Sequence, residues 1–155
     1  ALEIGTYTGY AAHCLAEALG EGGEVHTIES DDEMEDFIHE FLDGAPYADR
    51  VHLYLGDALE ILPKLLEQHA FDLVYIDANK REYIDYYELI VPHLPSGALI
   101  LADNTLWDGK VLEEPTPTDP QTQSILAFNE HVQHDPRVEN LILPLRDGLS
   151  LIYKK

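Results

Sequence analysis

Two apolar runs that each close on oxygen-bearing side chains constrain this chain more than any other feature. Phe71-Asp72-Leu73-Val74-Tyr75-Ile76 ends at Asp77, and Ala98-Leu99-Ile100-Leu101-Ala102 ends at Asp103-Asn104. Short continuous apolar stretches read as buried strands of a parallel sheet. In an open α/β sheet the carboxyl ends of the strands face one crevice, so Asp77, Asp103 and Asn104 could converge on a single hard cation. Two carboxylates and an amide oxygen suit Mg²⁺, Mn²⁺ or Ca²⁺ and not zinc, because no Cys or His joins them at ligand spacing. Taken singly, a strand-end aspartate also serves as a helix cap or turn former.

The rest of the pattern repeats strand, turn and helix. Residues 1–5 read as a strand entering Gly5-Thr6-Tyr7-Thr8-Gly9-Tyr10, followed by a helical apolar pattern over 11–19 that Gly20 closes. Residues 25–28 are strand-like, and Ser30 or Asp31 can cap a helix whose Met34, Phe37, Ile38, Phe41 and Leu42 share one face. Residues 51–55 alternate as a strand, and the helix from Ala58 is expected to kink or restart at Pro63. A further helix spans about 81–94, and a loop rich in Pro and acids runs from about 105 to 118 and holds Trp107. Asp119-Pro120 starts a last helix with an Ile125, Phe128, Val132 stripe, and residues 138–145 and 149–153, joined by Arg146-Asp147-Gly148, read as an antiparallel hairpin. The expected architecture is a single α/β domain over 1–155: a doubly wound, mostly parallel sheet with the antiparallel hairpin at its C-terminal end.

The first turn has glycines at 5 and 9, without the dinucleotide GxGxxG spacing, since Tyr7 and Tyr10 stand where small residues would be expected. Glu29 lies 24 residues after Gly5 at the end of the second strand, where an acid accepts hydrogen bonds from a ribose diol. Together they suggest an adenosine-containing ligand; the alternative is ordinary turn glycines and a surface acid. Gly56-Asp57-Ala58 follows the third strand, where Asp57 can take an adenine amine or cap the next helix, or both. Lys80 follows Asp77 closely enough to reach a ligand on the metal and, near positive charge, to act as general base; otherwise it is a solvated lysine at a helix start. Trp107 walls a flat substrate pocket or packs its loop, and Tyr83, Tyr86 and Tyr87 pack or line a helix face. His13, His26, His39 and His52 recur every thirteen residues but fall on a helix, a strand, a helix and a strand, so the recurrence reads as coincidence.

With 30 acids against 9 bases the formal net charge is -21, which repels nucleic-acid phosphates and anionic membranes. One cysteine, Cys14, excludes an intrachain disulfide, and no apolar run approaches the roughly 20 residues that span a bilayer, so a cytoplasmic protein is expected. The chain begins at Ala1 with four residues before the first glycine, a strand cut short, so some N-terminal structure is expected to lie outside it.

Leu2-Glu3-Ile4-Gly5-Thr6-Tyr7-Thr8-Gly9-Tyr10, Tyr75-Ile76-Asp77-Ala78-Asn79-Lys80 and Ala102-Asp103-Asn104-Thr105-Leu106-Trp107-Asp108-Gly109 resemble the cation-dependent O-methyltransferases of the caffeoyl-coenzyme A and catechol type. The three segments match independently and in order. The resemblance implies a seven-stranded, Rossmann-like fold that binds S-adenosylmethionine and acts on a small catechol-like, vicinal dihydroxy substrate. It assigns Glu3, Gly5 and Tyr7, in the turn that Gly9 closes, to the methionine part of the cofactor, Glu29 to the ribose, and the Asp57-Ala58 corner to the adenine. Asp77, Asp103 and Asn104 would hold the cation, most simply Mg²⁺, with Asp77 also bordering the cofactor and Lys80 helping to remove the proton. It further implies a homodimer and N-terminal helices ahead of the first strand.

Some positions depart from the pattern. Ala11 stands where many relatives have serine, Ala78-Asn79 replaces the His-Trp of the animal catechol enzymes, and Ser150 matches a glutamate that contacts substrate in those enzymes. The departures favour the caffeoyl-type branch and leave the acceptor open. Two other readings compete: an NAD(P)-dependent oxidoreductase, which shares the strand-turn-helix and ribose acid, and a non-catalytic cofactor-binding module of the same fold.

Overall fold

The computed structural model describes residues 1–114 and 118–155, so the end of the expected 105–118 loop lies outside the described residues. Seven strands form one sheet in the order β3-β2-β1-β4-β5-β7-β6. They are β1 (Leu2–Ile4), β2 (Val25–Glu29), β3 (Val51–Leu55), β4 (Leu73–Ile76), β5 (Leu99–Asp103), β6 (Val138–Leu143) and β7 (Leu149–Lys154). The first five pair in parallel, while β7 runs antiparallel to both β5 and β6. The hairpin expected from Arg146-Asp147-Gly148 therefore forms, with its second strand inserted next to β5 and its first left at the edge. Strand order reverses between β1 and β4, the place where open α/β sheets bind ligands.

The helices are α1 (Tyr10–Ala18), α2 (Glu35–Leu42), α3 (Ala58–Gln68), α4 (Tyr83–Ile90) and α5 (Pro120–His134). Asp31 caps a 3-10 turn at Asp32–Met34, so α2 proper starts only at Glu35. The helix restart expected at Pro63 does not occur. Helix α3 continues through Pro63, giving up the hydrogen bond a residue there would donate to the Leu59 carbonyl, because Leu62, Leu65 and Leu66 on either side are all buried. On α2 only Ile38 and Leu42 are buried; Phe37 and Phe41 stay exposed, since one narrow stripe suffices to meet the sheet.

Aromatic packing places the element that matters most for the site. Tyr83 and Tyr87 of α4 meet Phe128 of α5 edge to face, with ring centroids 5.3 and 6.0 Å apart, and all three rings are fully buried. Such pairs contribute about 0.5–1.5 kcal/mol each beyond simple burial, enough to fix the tyrosine ring in one place. No helix among the described residues is long and apolar enough to cross a membrane.

Gly5 is the tightest point of the switch region. Its φ is +98°, and a Cβ there would lie 2.1 Å from the Asp77 carbonyl oxygen. Gly5→Ala is therefore expected to cost about 2–5 kcal/mol, a left-handed backbone penalty plus forced separation of β1 from β4. Urea denaturation measures it; a loss within 0.5 kcal/mol, about that of an ordinary surface change, would mean the two strands are free to part.

Candidate active site

Each parallel strand ends in a turn that delivers one polar group to the same edge of the sheet. The turns after β1, β2, β3 and β4 line a cleft of about 580 Å³ whose walls include Gly5, Tyr7, Glu29, Asp57, Ala58 and Asp77. Six of the expected cofactor residues thus meet in one place, joined by Glu82 and Tyr86, which sequence reasoning did not single out for a ligand. Tyr86 donates its hydroxyl proton to a Glu82 carboxylate oxygen, a helical pair four residues apart. The cleft carries four carboxylates, Glu29, Asp57, Asp77 and Glu82, and no lysine or arginine among its lining residues.

Glu29 is held in place by backbone: the Tyr7 N–H donates to one carboxylate oxygen at 2.6 Å and the Asp31 N–H to the other at 2.9 Å. Tyr7 reaches this bond only by adopting φ +50°, an uncommon conformation for a bulky residue that costs on the order of 1–3 kcal/mol. Its side chain remains largely exposed on the cleft wall. Asp57 does cap α3, accepting from the Leu59 N–H at 2.8 Å, and still borders the cleft, so its two roles coexist. Gly9 is not part of the wall; it starts α1, packed towards Leu42.

Glu3 lies under the cleft and not on its wall. It is fully buried in β1, where Thr27 donates to one carboxylate oxygen at 2.5 Å. Thr27 has a single hydroxyl proton, so Thr6, 2.5 Å away, must donate to Thr27 in turn. The other Glu3 oxygen, Oε1, is buried without a hydrogen-bond partner among the described residues. Burial pushes the Glu3 carboxyl up to about 7, with Asp77 and Glu29 adding to the rise and the Thr27 hydrogen bond opposing it.

The residues expected to hold a cation belong to the turns after β4 and β5. Lys80 is buried, and its Nζ donates to Asp77 Oδ1 at 2.8 Å and to the Tyr83 hydroxyl at 2.5 Å. The solvated-lysine alternative is therefore not what the fold adopts. The Tyr83 hydroxyl also lies 3.2 Å from the Ile76 carbonyl and 3.1 Å from the Asp103 carbonyl, so one phenol spans the ends of β4 and β5. Burial, with the Asp77 and Asp103 charges, drives its acidity well down, which keeps the phenol a donor. Asp103 accepts from the Tyr75 hydroxyl at 2.8 Å on one oxygen and from the Asn104 N–H at 2.7 Å on the other, leaving a lone pair on each for a further partner. Asn104 sits at φ +59°, a conformation asparagine tolerates. The segment after it is pinned to the β6–β7 turn: Thr105 N–H donates to the Gly148 carbonyl at 3.1 Å and Leu106 N–H to the Asp147 carbonyl at 2.8 Å.

Tyr75 and Tyr83 are the residues sequence reasoning missed. Tyr83 was readable only as helix packing, although its i+3 spacing from Lys80 was the available signal. Trp107 packs against the main core, and Ser150 turns inward to donate to the Thr105 hydroxyl at 2.9 Å, so it takes no place on a substrate wall.

A parallel sheet with a strand-order reversal, a glycine turn at that reversal and an acid-lined cleft above it defines a doubly wound α/β protein built to hold a small cofactor. The chain belongs to the O-methyltransferase family, whose model matches residues 1–155. It is 38% identical over 157 residues to the mouse catechol O-methyltransferase domain-containing protein 1, covering 99% of this chain and 60% of the relative. It is 35% identical over 161 residues to a catechol O-methyltransferase of Niastella koreensis, covering 99% of this chain and 72% of that one. An O-methyltransferase from Bacillus cereus, solved in complex with SAH, superposes with a TM-score of 0.91 at 31% identity, over 99% of this chain and 73% of its own.

The raised Glu3 value carries a prediction. A carboxyl whose folded value exceeds its unfolded one adds stability that is complete below about 4.5 and is lost as pH rises through about 7. Glu3→Gln, neutral throughout, is expected to match the parent at pH 4 and exceed it at pH 8 by on the order of 2–3 kcal/mol. Urea denaturation at the two pH values checks this; an unchanged difference between them would show that Glu3 does not ionise in this range.

Proposed function

We propose that the chain carries an S-adenosylmethionine-dependent O-methyltransferase site acting on a hydroxyl of a catechol-like, vicinal dihydroxy small molecule. The observation that carries this reading is the sign of the cleft. Of the four carboxylates on the wall only Asp77 is paired with a base, Lys80, and the three left over oppose the pyrophosphate of a dinucleotide and favour a ligand bearing a sulfonium and an ammonium. The orphaned Glu3 oxygen suits that ammonium, and Glu29 retains acceptor capacity for a ribose diol beyond its two backbone donors. Similarity to catechol O-methyltransferases and to a structure solved with SAH supports the same assignment.

The residues fit a divalent cation as well. Asp77, Asp103 and Asn104 would hold it, because they offer only oxygen donors, and both Asp103 oxygens keep free lone pairs. A bound Mg²⁺, or Mn²⁺ or Ca²⁺, supplies Lewis acidity to a chelated diol, and the cofactor supplies an electrophilic methyl group. This chain's part is to orient and to manage the proton. Tyr75 and the Asn104 N–H fix the Asp103 carboxylate, Tyr83 and Asp77 fix Lys80, and Lys80, once it has given up a proton to become the neutral amine, would receive the hydroxyl proton. A groove lined by Leu106, Asp108, Leu112, Arg146 and Asp147 would offer the acceptor a place to lie. One free exposed thiol, Cys14, suits the reducing cytoplasm as compartment.

One calorimetric series with a catechol turnover assay tests the assignment. S-adenosylmethionine is expected to bind and NAD not to bind. Asp103→Ala should keep cofactor binding but lose turnover by a factor on the order of 10³, and Lys80→Met by about 10²–10⁴. Binding of NAD alone, or undiminished turnover of Asp103→Ala in chelator, would sink the assignment.

A homodimer is proposed through the free edge of the sheet, where β6 and the following turn expose Leu141, Ile142, Leu143 and Leu145. A net charge of -21 on each copy opposes that contact, so association should tighten with salt. Sedimentation equilibrium should show dimer rising with ionic strength, and a monomer at every salt concentration would exclude it.

A further inference from the structure

At the opposite end of the sheet, two of the regularly spaced histidines do meet. His26 on β2 and His52 on β3 are register partners in adjacent parallel strands, with ring centroids 4.8 Å apart. Glu24, just before β2, brings Oε2 to 3.7 Å from His26 Nε2 and to 3.7 Å from His52 Nε2. The remaining two members of the series go elsewhere: His13 bonds Tyr47 at 2.6 Å and His39 pairs with Asp43 at 3.3 Å.

We propose that Glu24, His26 and His52 form a binding site for a zinc-class divalent transition-metal ion. Three observations support it. First, the spacing matches: ligands about 2.1 Å from a tetrahedral ion stand about 3.4 Å from one another, whereas 3.7 Å is too long for a hydrogen bond between these groups. Second, His26 is buried and aimed. Its Nδ1 is 2.9 Å from the Tyr54 hydroxyl, and with Nδ1 donating there, Nε2 presents its lone pair to Glu24. Third, the donors are two imidazoles and one carboxylate, which suits zinc and its neighbours and not magnesium or calcium. An adjoining cavity of about 370 Å³, bordered by Gly23, Glu24, His26 and His69, provides access and room for water as a fourth ligand.

A similar cluster, Glu88, His131 and Asp135, lacks this openness, because Arg137 already bonds both carboxylates at 2.6 Å. Among the described residues no lysine or arginine closes the Glu24 cluster, and the Ala1 ammonium bonds the Glu24 backbone carbonyl at 2.7 Å, not its carboxylate. An ion there would tie β2 to β3 and to the turn before β2, and by binding only the folded chain would raise its stability.

The experiment is calorimetric titration of Zn²⁺ into the protein in excess Mg²⁺, paired with thermal melts and with Co²⁺ as a visible-absorption probe of tetrahedral coordination. One equivalent should bind with a rise in Tm, and Asp103→Ala should leave both unchanged, which separates this site from the cleft. His52→Ala and Glu24→Gln, both at half-exposed or exposed positions, should each weaken binding about 100-fold or more, and Tyr54→Phe about 10–100-fold. Undiminished binding in the His52→Ala, Glu24→Gln double variant, or no Zn²⁺ binding by the parent, would overturn the proposal.

Discussion

The Tyr83 hydroxyl is the contact on which the site depends. It accepts from Lys80 and lies within hydrogen-bond reach of the last carbonyl of β4 and of Asp103 on β5. Lys80 in turn pairs with Asp77 at the start of the next turn. A lysine withdrawn from water this far would be costly without such partners. With them, it locks the two strand ends at one spacing, so that Asp77 and Asp103 become parts of a single site. The aromatic contact of Tyr83 with Phe128 transmits the packing of α5 to this point, which is how a distant helix takes part in the chemistry.

Much of the fold was legible because it rests on local signals. Continuous apolar runs closing on Asp77 and Asp103 gave β4 and β5, Arg146-Asp147-Gly148 gave the hairpin, and Asp119-Pro120 gave the start of α5. The same reasoning brought Gly5, Tyr7, Glu29, Asp57, Ala58 and Asp77 to one cleft, since each follows the end of a parallel strand. What escaped depends on contacts between elements. Periodicity cannot tell which part of an apolar helix face meets the sheet, so it put Phe37 and Phe41 on one face with Ile38 and Leu42 without separating exposed from buried. It cannot weigh Pro63 against the buried leucines that carry α3 past it. Strand register, which no local pattern encodes, decides that His26 and His52 are neighbours and that Tyr75 reaches Asp103.

Charge does a second kind of work. A chain with 30 acids could scatter them as solvated surface, and most are. Those in and beneath the cleft differ because they are held by directed hydrogen bonds: two backbone donors to Glu29 and a lysine to Asp77 on the wall, and a threonine to Glu3 below it. Fixed carboxylates that outnumber their one basic neighbour, Lys80, set the sign of what can bind, whereas a mobile surface acid is screened by salt. The family pattern and this field are independent arguments, and both point to a cationic cofactor.

The two ends of the sheet divide the available donors by hardness. At the carboxyl ends, Asp77, Asp103 and Asn104 offer oxygen donors alone, the chemistry of a hard cation. Near the amino ends of β2 and β3, two imidazoles and one carboxylate offer nitrogen to a softer ion. Glu29 and His26 lie three residues apart on one strand, roughly 10 Å, so a single rigid element joins the cofactor cleft to the histidine pair. The pairing of β2 with β3, in register from Val25 and Val51 to Glu29 and Leu55, thus connects the two ends through one strand ladder.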